Sequence, residues 1–316
     1  MSSLQILKIA RGIIPPLTSS LHKGQLGKIG VIGGCLEYTG APFYAGISAM
    51  RAGADLVTVI CSEEAGIPIK CYSPELIVYP VITLSKEMYR VNELAVLNIE
   101  RVKKLFPRLD SIVIGPGAGR NPSMIQTLKG LILYALEIKK PLVVDGDGLW
   151  VLTQYPEIFS DIDFKTQNVI LTPNQMEFTR LWNRVMNENQ NPSDLTQTDE
   201  FVRSLSSALH GPAILQKGAI DRISDGSEVV CNDSPASLRR CGGQGDIVAG
   251  VAGLMNLWSK RAEAGEMSAA MRAAIATSGI VREAGRRAFE REKRRMTVMT
   301  VIEEVGETVE EKGEEE

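Results

Sequence analysis

Histidine is nearly absent from this chain, with two in 316 residues, and that scarcity bounds its chemistry. A metal centre built from several histidines is excluded, and a Ser/His/Asp triad would have to use His22 or His210, so acid–base work falls to carboxylates. The five cysteines (Cys35, Cys61, Cys71, Cys231, Cys241) are odd in number and contain no C-x-x-C pair, which leaves neither a disulfide framework nor a cysteine zinc site. A reducing, cytoplasmic setting is the expectation. There is no long Lys/Arg block, and the net charge is -3, so no nucleic-acid footprint is expected. No charge-free apolar run approaches the roughly 18 residues a membrane span needs. The first 36 residues contain no Asp or Glu, which has a faint transit-peptide character and leaves an organellar form open. Pro15-Pro16 would interrupt an amphipathic targeting helix, so the segment is read as structural. No internal repeat is present.

The remainder is ordinary globular material, 44% hydrophobic and 23% charged, with ample length for a large core. Leu4, Ile6, Leu7, Ile13 and Ile14 form a short amphipathic opening. Residues 28–32 (KIGVI) read as a buried strand running into Gly33-Gly34, followed by a helical stretch at 42–52 and a second strand at 56–60. The alternation continues with strands at 76–81, 111–114, 142–144 and 169–171, and with helices at 91–106, 124–137 and from 149. Short apolar runs alternating with helices imply a mostly parallel sheet covered on both faces, a three-layer α/β/α sandwich. A strand at 213–216 is followed by two more flanking Asp225-Gly226, a hairpin signal that turns the edge antiparallel. Helices are expected at 268–291 and from 297, and the polar stretch 187–199 reads as an exposed loop. The expected organisation is one catalytic domain over 1–300 and an acidic, partly disordered tail over 301–316.

Ligands of such sheets bind beyond the carboxyl ends of the strands. Arg240-Cys241-Gly242-Gly243-Gln244-Gly245-Asp246 precedes an apolar helix at 247–258, whose unpaired N–H groups and positive dipole end favour an anion such as phosphate. Asp246 at that mouth could take a proton from a hydroxyl attacking the phosphate; alternatively it only caps the helix. Gly115-Pro116-Gly117-Ala118-Gly119 lets backbone approach a ligand, or simply meets a need for positive backbone angles. Asp145 and Asp147 suit ligand hydroxyls or a hydrated cation, or a cap and turn. Asn174 and Glu177 have capping-box spacing, so helix initiation rivals any ligand role there.

Taken in order, these motifs resemble the ribokinase-like superfamily. More narrowly, the strings HKGQLGKIGVIGG, EYTGAP, GADLVTV, YSPELIV, GPGAGR, LTPNQMEFTRL, QKGAIDRISDG and RRCGGQGD resemble the eukaryotic ATP-dependent NAD(P)H-hydrate dehydratases, across nearly the whole chain. The resemblance implies a repair lyase that uses ATP to dehydrate the S form of hydrated NADH and NADPH (NADHX and NADPHX), through a phosphorylated intermediate with Asp246 as base. It places substrate contacts on Gly117, Asn174, Gln175, Met176, Glu177, Phe178, Thr179, Arg180 and Asp246. It places ATP contacts on Lys217, Gly218, Ala219, Ile220 and Asp221, and on Ala236, Ser237, Leu238, Arg239, Arg240, Cys241, Gly242, Gly243, Gln244 and Gly245. The Asn-x-x-Glu element of ribokinase-like enzymes adds Mg2+ organised through water by Glu177. A separate NAD(P)H-hydrate epimerase would handle the R form, and a homo-oligomer is left open. The rival within the superfamily is a small-molecule or vitamin kinase that stops at the phosphorylated product. In the 217–221 element, Ala219 and Ile220 stand where charged residues occur in animal relatives, so backbone contacts matter most there.

Overall fold

The computed structural model describes residues 3–164, 166–191, 194 and 199–313. Its centre is β1 (Lys28–Ile32), an apolar strand parallel to β2 (Leu56–Ser62) on one side and to β4 (Ser111–Ile114) on the other. With β3 (Ile77–Ile82), β5 (Leu142–Val144), β6 (Val169–Leu171), β7 (Ala213–Gln216), β8 (Asp221–Ser224) and β9 (Val229–Asn232), the sheet has nine strands in the order β3-β2-β1-β4-β5-β6-β7-β8-β9. All pairings are parallel except β7 with β8 and β8 with β9, so the antiparallel edge lies at the Asp225-Gly226 hairpin as expected.

Both faces are apolar because successive side chains point to opposite sides. Val31, Val57, Val113, Val143 and Ile170 face one core, while Ile32, Ile60, Ile112, Val144 and Leu171 face the other. The first core is covered by α1 (Ser3–Arg11), α2 (Gly40–Arg51), α3 (Glu63–Tyr72), α9 (Gln244–Arg261), α10 (Ala269–Glu292) and α11 (Val298–Gly313). The second is covered by α4 (Val91–Lys103), α5 (Pro122–Glu137), α6 (Asp147–Gln154), α7 (Gln175–Met186) and α8 (Glu200–Ala208). This is the expected three-layer α/β/α sandwich.

Two helices have no counterpart in the sequence reading. α3 begins directly at the end of β2 with Ser62 as its cap and carries Pro68 inside, which masks the pattern. α8 follows the polar stretch whose residues 192, 193 and 195–198 lie outside the described residues, so the expected exposed loop is not described there.

The boundary expected at residue 300 falls inside α11. Val301, Ile302, Val305 and Val309 form a buried stripe at helical spacing, so the chain there packs as part of the body, although its composition is acidic. Glu303 and Glu311 face outward and pair with Arg291 and Arg287, while Glu304 is buried and reaches Arg291 from inside. Residues 314–316 lie outside the described part of the tail.

Close packing of α9 on α2 sets the position of the candidate site. A Cβ at Gly250 would lie 2.0 Å from the backbone oxygen of Ala45, and neither helix backbone can yield cheaply. Gly250→Ala is expected to destabilise by about 3 kcal/mol or more, read as a thermal midpoint lower by roughly 5 °C or more. At Gly242, an added Cβ meets nothing within 4 Å, so Gly242→Ala should leave the midpoint within about 1 °C. Equal losses in the two variants would contradict this account of the α2–α9 contact.

Candidate active site

Strand order reverses at β1, since β2 and β3 lie on one side of it and β4 to β9 on the other. The two connections leave in opposite directions, which opens a crevice at the carboxyl ends of β1 and β4. The loop after β4 fills its floor. At Gly115 the backbone is at φ 118°, and a Cβ would lie 1.9 Å from the backbone oxygen of Asp145, so only glycine allows this loop to meet the end of β5.

The glycine-rich turn delivers α9 to the same crevice. Gly243 is left-handed at φ 97°, packs against the Tyr44 ring, and stands at the N-cap position. Asp246 therefore falls in the first turn of α9, where helix geometry leaves N–H groups without intrahelical partners. The turn is braced from within: Cys241 N–H donates to Gln244 Oε1 at 3.3 Å, and Gln244 Nε2 donates to the Arg239 carbonyl at 3.3 Å.

Lys217 arrives at the end of β7. Its N–H donates to the Pro173 carbonyl at 2.9 Å, and it forms an isolated parallel bridge with Asn174, so two loops that sequence treats separately are joined. Its ammonium lies 2.8 Å from Asp145 Oδ1, which also accepts from Thr172 Oγ1 at 2.7 Å. Asn174 and Glu177 form the capping box in full, with Glu177 Oε2 accepting from Asn174 N–H at 2.9 Å and Asn174 Oδ1 accepting from Glu177 N–H at 3.0 Å.

Three carboxylates thus crowd around one buried cation. Burial first, then the charge of Asp145, pushes the Asp246 carboxyl up to about 7, with Lys217 opposing the rise. Burial and Asp145 also raise Glu177, again against Lys217. For Lys217, burial works against the ammonium, but Asp145, Glu177 and Asp246 outweigh it and hold the pKa above the usual lysine value. A carboxyl near 7 beside a lysine that stays charged can accept a proton at neutral pH.

The residues singled out from sequence separate into two groups. Gly117, Glu177, Arg180 and Asp246 line one open pocket with Arg120, Asp147 and Trp150. Phe178 is fully buried and stacks on Trp182, and Thr179 Oγ1 donates to the Gln175 carbonyl at 2.9 Å, so these two side chains serve the protein interior. Met176 is exposed. On the side toward β8, the Asp221 carboxylate accepts from Gly218 N–H at 3.0 Å and from Ser278 Oγ at 2.7 Å, and lies 3.4 Å from Arg282. Arg282 also donates to the Ala219 carbonyl at 2.8 Å. Asp221 therefore shapes the 217–221 turn from inside, while Ile220 and Leu238 are exposed. Ser237 Oγ donates to the Arg239 carbonyl at 2.7 Å; Ala236 and Gly245 are half-buried, and Arg240 is exposed.

Sequence reasoning did not assign Asp145 as the partner of Lys217, nor Arg120 and Trp150 as pocket walls. Arg120 lies over the Trp150 ring at 4.1 Å and 3.5 Å from Asp147, whose other oxygen accepts from Gly119 N–H at 2.8 Å. The arginine of GPGAGR was the available signal.

Among the described residues, no group of three or more His, Cys, Asp or Glu side chains could hold a metal ion. Glu177 Oε2 is engaged with Asn174, and Asp145 Oδ1 with Lys217 and Thr172. This donor set fits a hydrated ion carried by nucleotide phosphates and touched through water, and does not fit a protein-built cage.

The family model for NAD(P)H-hydrate dehydratase matches residues 29–306. The chain is similar to the ATP-dependent (S)-NAD(P)H-hydrate dehydratase of Nematostella vectensis, with 42% identity over 97% of this chain and 82% of that one. It is 40% identical to the rat protein of the same name over 95% of this chain and 83% of that one, and 38% identical to the human one over 95% and 82%. Among solved structures, a hypothetical protein of Streptococcus mutans superposes with TM-score 0.75 at 20% identity, covering 99% of each chain. The ADP/ATP-dependent NAD(P)H-hydrate dehydratase of Bacillus subtilis, crystallised with ATP and Mg2+, superposes at 0.67 with 19% identity, covering 98% of this chain and 97% of that one. At these identities, the structures speak for the fold.

Proposed function

The chain belongs to the NAD(P)H-hydrate dehydratase family, and we propose that one carboxylate, Asp246, drives its reaction at the mouth of α9. The protein is an ATP-dependent lyase that removes water from hydrated NADH and NADPH. In the scheme proposed here, the carboxylate of Asp246 takes the proton of the ring hydroxyl while that oxygen attacks the terminal phosphorus of ATP. An O–P bond forms, and the bond to ADP breaks. The N–H groups at the start of α9 and the Lys217 ammonium receive the charge that spreads over the phosphoryl oxygens. The C–O bond then breaks with phosphate as leaving group, an adjacent C–H proton is lost, and the reduced nicotinamide is restored. A kinase step thus prepares an elimination.

The observation that carries this reading is the convergence of Asp246, raised to about 7, with buried Lys217 and the pocket wall of Gly117, Glu177 and Arg180. ATP is assigned to the side of Lys217–Gly218 and the 236–245 turn, and the hydrated ring to the pocket. Mg2+ would neutralise phosphate charge when bound, and Glu177 would hold one of its waters through the oxygen not engaged with Asn174. A cytoplasmic setting and a separate epimerase for the R form complete the proposal; among the described residues, no helix is long and apolar enough to cross a membrane.

Incubation with hydrated NADH, ATP and magnesium is expected to restore the absorbance of reduced nicotinamide, with ADP formed in step and the signal lost in excess chelator. Recovery without nucleotide would overturn the scheme, and a stable phosphorylated product would make the protein a kinase.

A further inference from the structure

A second pocket adjoins the first across the loop that follows β4. It is bounded by the loop after β1 at Cys35 and Glu37, the loop after β3 at Ser85 and Lys86, and the β4 loop at Arg120 and Asn121, with about 260 Å³ of space. Arg120 is common to both pockets. Its guanidinium lies over the Trp150 ring at 4.1 Å and 3.5 Å from Asp147, a contact too long for a strong bidentate pair, so N–H donors remain for an anion.

The second pocket is built, not incidental. Asn121 Nδ2 donates to the Ser85 carbonyl at 2.8 Å and Asn121 Oδ1 accepts from Ser123 Oγ at 2.8 Å, tying the β3 and β4 loops together. The Cys35 thiol donates to Glu37 Oε2 at 3.2 Å and so keeps that carboxylate aimed and ionised. Exposed Lys86 lines the same pocket. A cation shared between two pockets, with an oriented carboxylate and a second cation lining the further one, offers partners for the groups of a dinucleotide: diphosphate, adenosine ribose, and the 2′-phosphate of the phosphorylated form.

Resting on the reading of the previous section, we infer that the pocket between Glu37 and Lys86 receives the adenosine half of the hydrated dinucleotide, with Arg120 holding the diphosphate and Lys86 the 2′-phosphate. Glu37 then accepts from a ribose hydroxyl. Substrate length, and not the hydrated ring alone, is what the enzyme recognises.

The test uses the full-length protein and three substrates: hydrated NADH, hydrated NADPH and hydrated reduced nicotinamide mononucleotide. For the wild type, the mononucleotide is expected to show kcat/KM at least about tenfold below the dinucleotides, since it leaves the second pocket empty. Arg120→Met should raise KM for both dinucleotides about ten- to a hundredfold, the range of a charge-assisted contact. Lys86→Met should raise KM for hydrated NADPH about tenfold and leave hydrated NADH and the mononucleotide within about twofold. Lys86 is exposed, so its variant folds. A wild type equally active on the mononucleotide, or a Lys86 variant that treats the two dinucleotides alike, would overturn the inference while leaving the dehydratase reading intact. A wild type inactive on all three would instead remove that reading.

Discussion

Asp246→Asn is expected to lower turnover by about a hundredfold to ten-thousandfold, the usual contribution of a general base. Asn keeps the volume of Asp, and the N-cap position of α9 is held by Gly243, so the ATP binding proposed at the 236–245 turn should persist. The same substitution should stabilise the protein above neutrality. The folded pKa of Asp246 is raised to about 7 from its ordinary value of 3.8. The native state therefore holds a proton more tightly than the unfolded chain across that window. Stability falls as pH rises from about 4 to about 7 and then levels off, and an amide escapes this loss. The gain for Asn at pH 8 should be roughly 1 to 4 kcal/mol, read from denaturant midpoints at pH 5 and pH 8. For the wild type, kcat/KM should climb with pH through an apparent pKa near 7. An Asn variant with near wild-type turnover would leave Asp246 an ordinary first-turn residue of α9 and remove the base from the scheme.

Lys217→Met is expected to cost both stability and activity. The methionine keeps most of the stem's packing but leaves the Asp145 carboxylate, 6% exposed, with the Thr172 hydroxyl as its one side-chain partner among the described residues. Leaving one member of a buried pair unpaired typically costs about 3–5 kcal/mol. Glu177 and Asp246 add like charge nearby, so the loss should grow as pH rises and these groups ionise. Lys217 also holds the Asp246 pKa down, so any residual activity should show its acid limb above 7. Adding Asp145→Asn to Lys217→Met removes the unpaired charge and should recover most of the stability without restoring turnover, because the cation proposed to face the phosphate is still missing. A double variant no more stable than the single one would mean that the ion pair is not what Lys217 supplies to the fold.

Much of this molecule was legible in local sequence. β1, β4, β5 and β6 are short apolar runs with identical bounds in sequence and structure, because a strand buried on both faces leaves an unbroken hydrophobic signature. Asp225-Gly226 announced the antiparallel edge, since its turn geometry is a property of those residues. Asp246 stands out in the sequence because glycines before an apolar helix leave a helix mouth that favours an anion. The acidic end of the chain misled for the opposite reason: its charge was plain, but whether Val301, Val305 and Val309 find a surface to bury against depends on α10 and α2.

The sequence by itself determined the alternation of strands and helices, the glycine-bounded strand ends and the residue types available for proton transfer, because periodicity and turn chemistry act over a few neighbouring residues. Only the tertiary structure decided that Lys217 meets Asp145 across 72 positions, that Glu177 and Asp246 share its field, and that Arg120 joins two pockets. Those outcomes depend on distance and on exclusion of water. A charge interacts through space, and its strength is set by burial that no single segment carries.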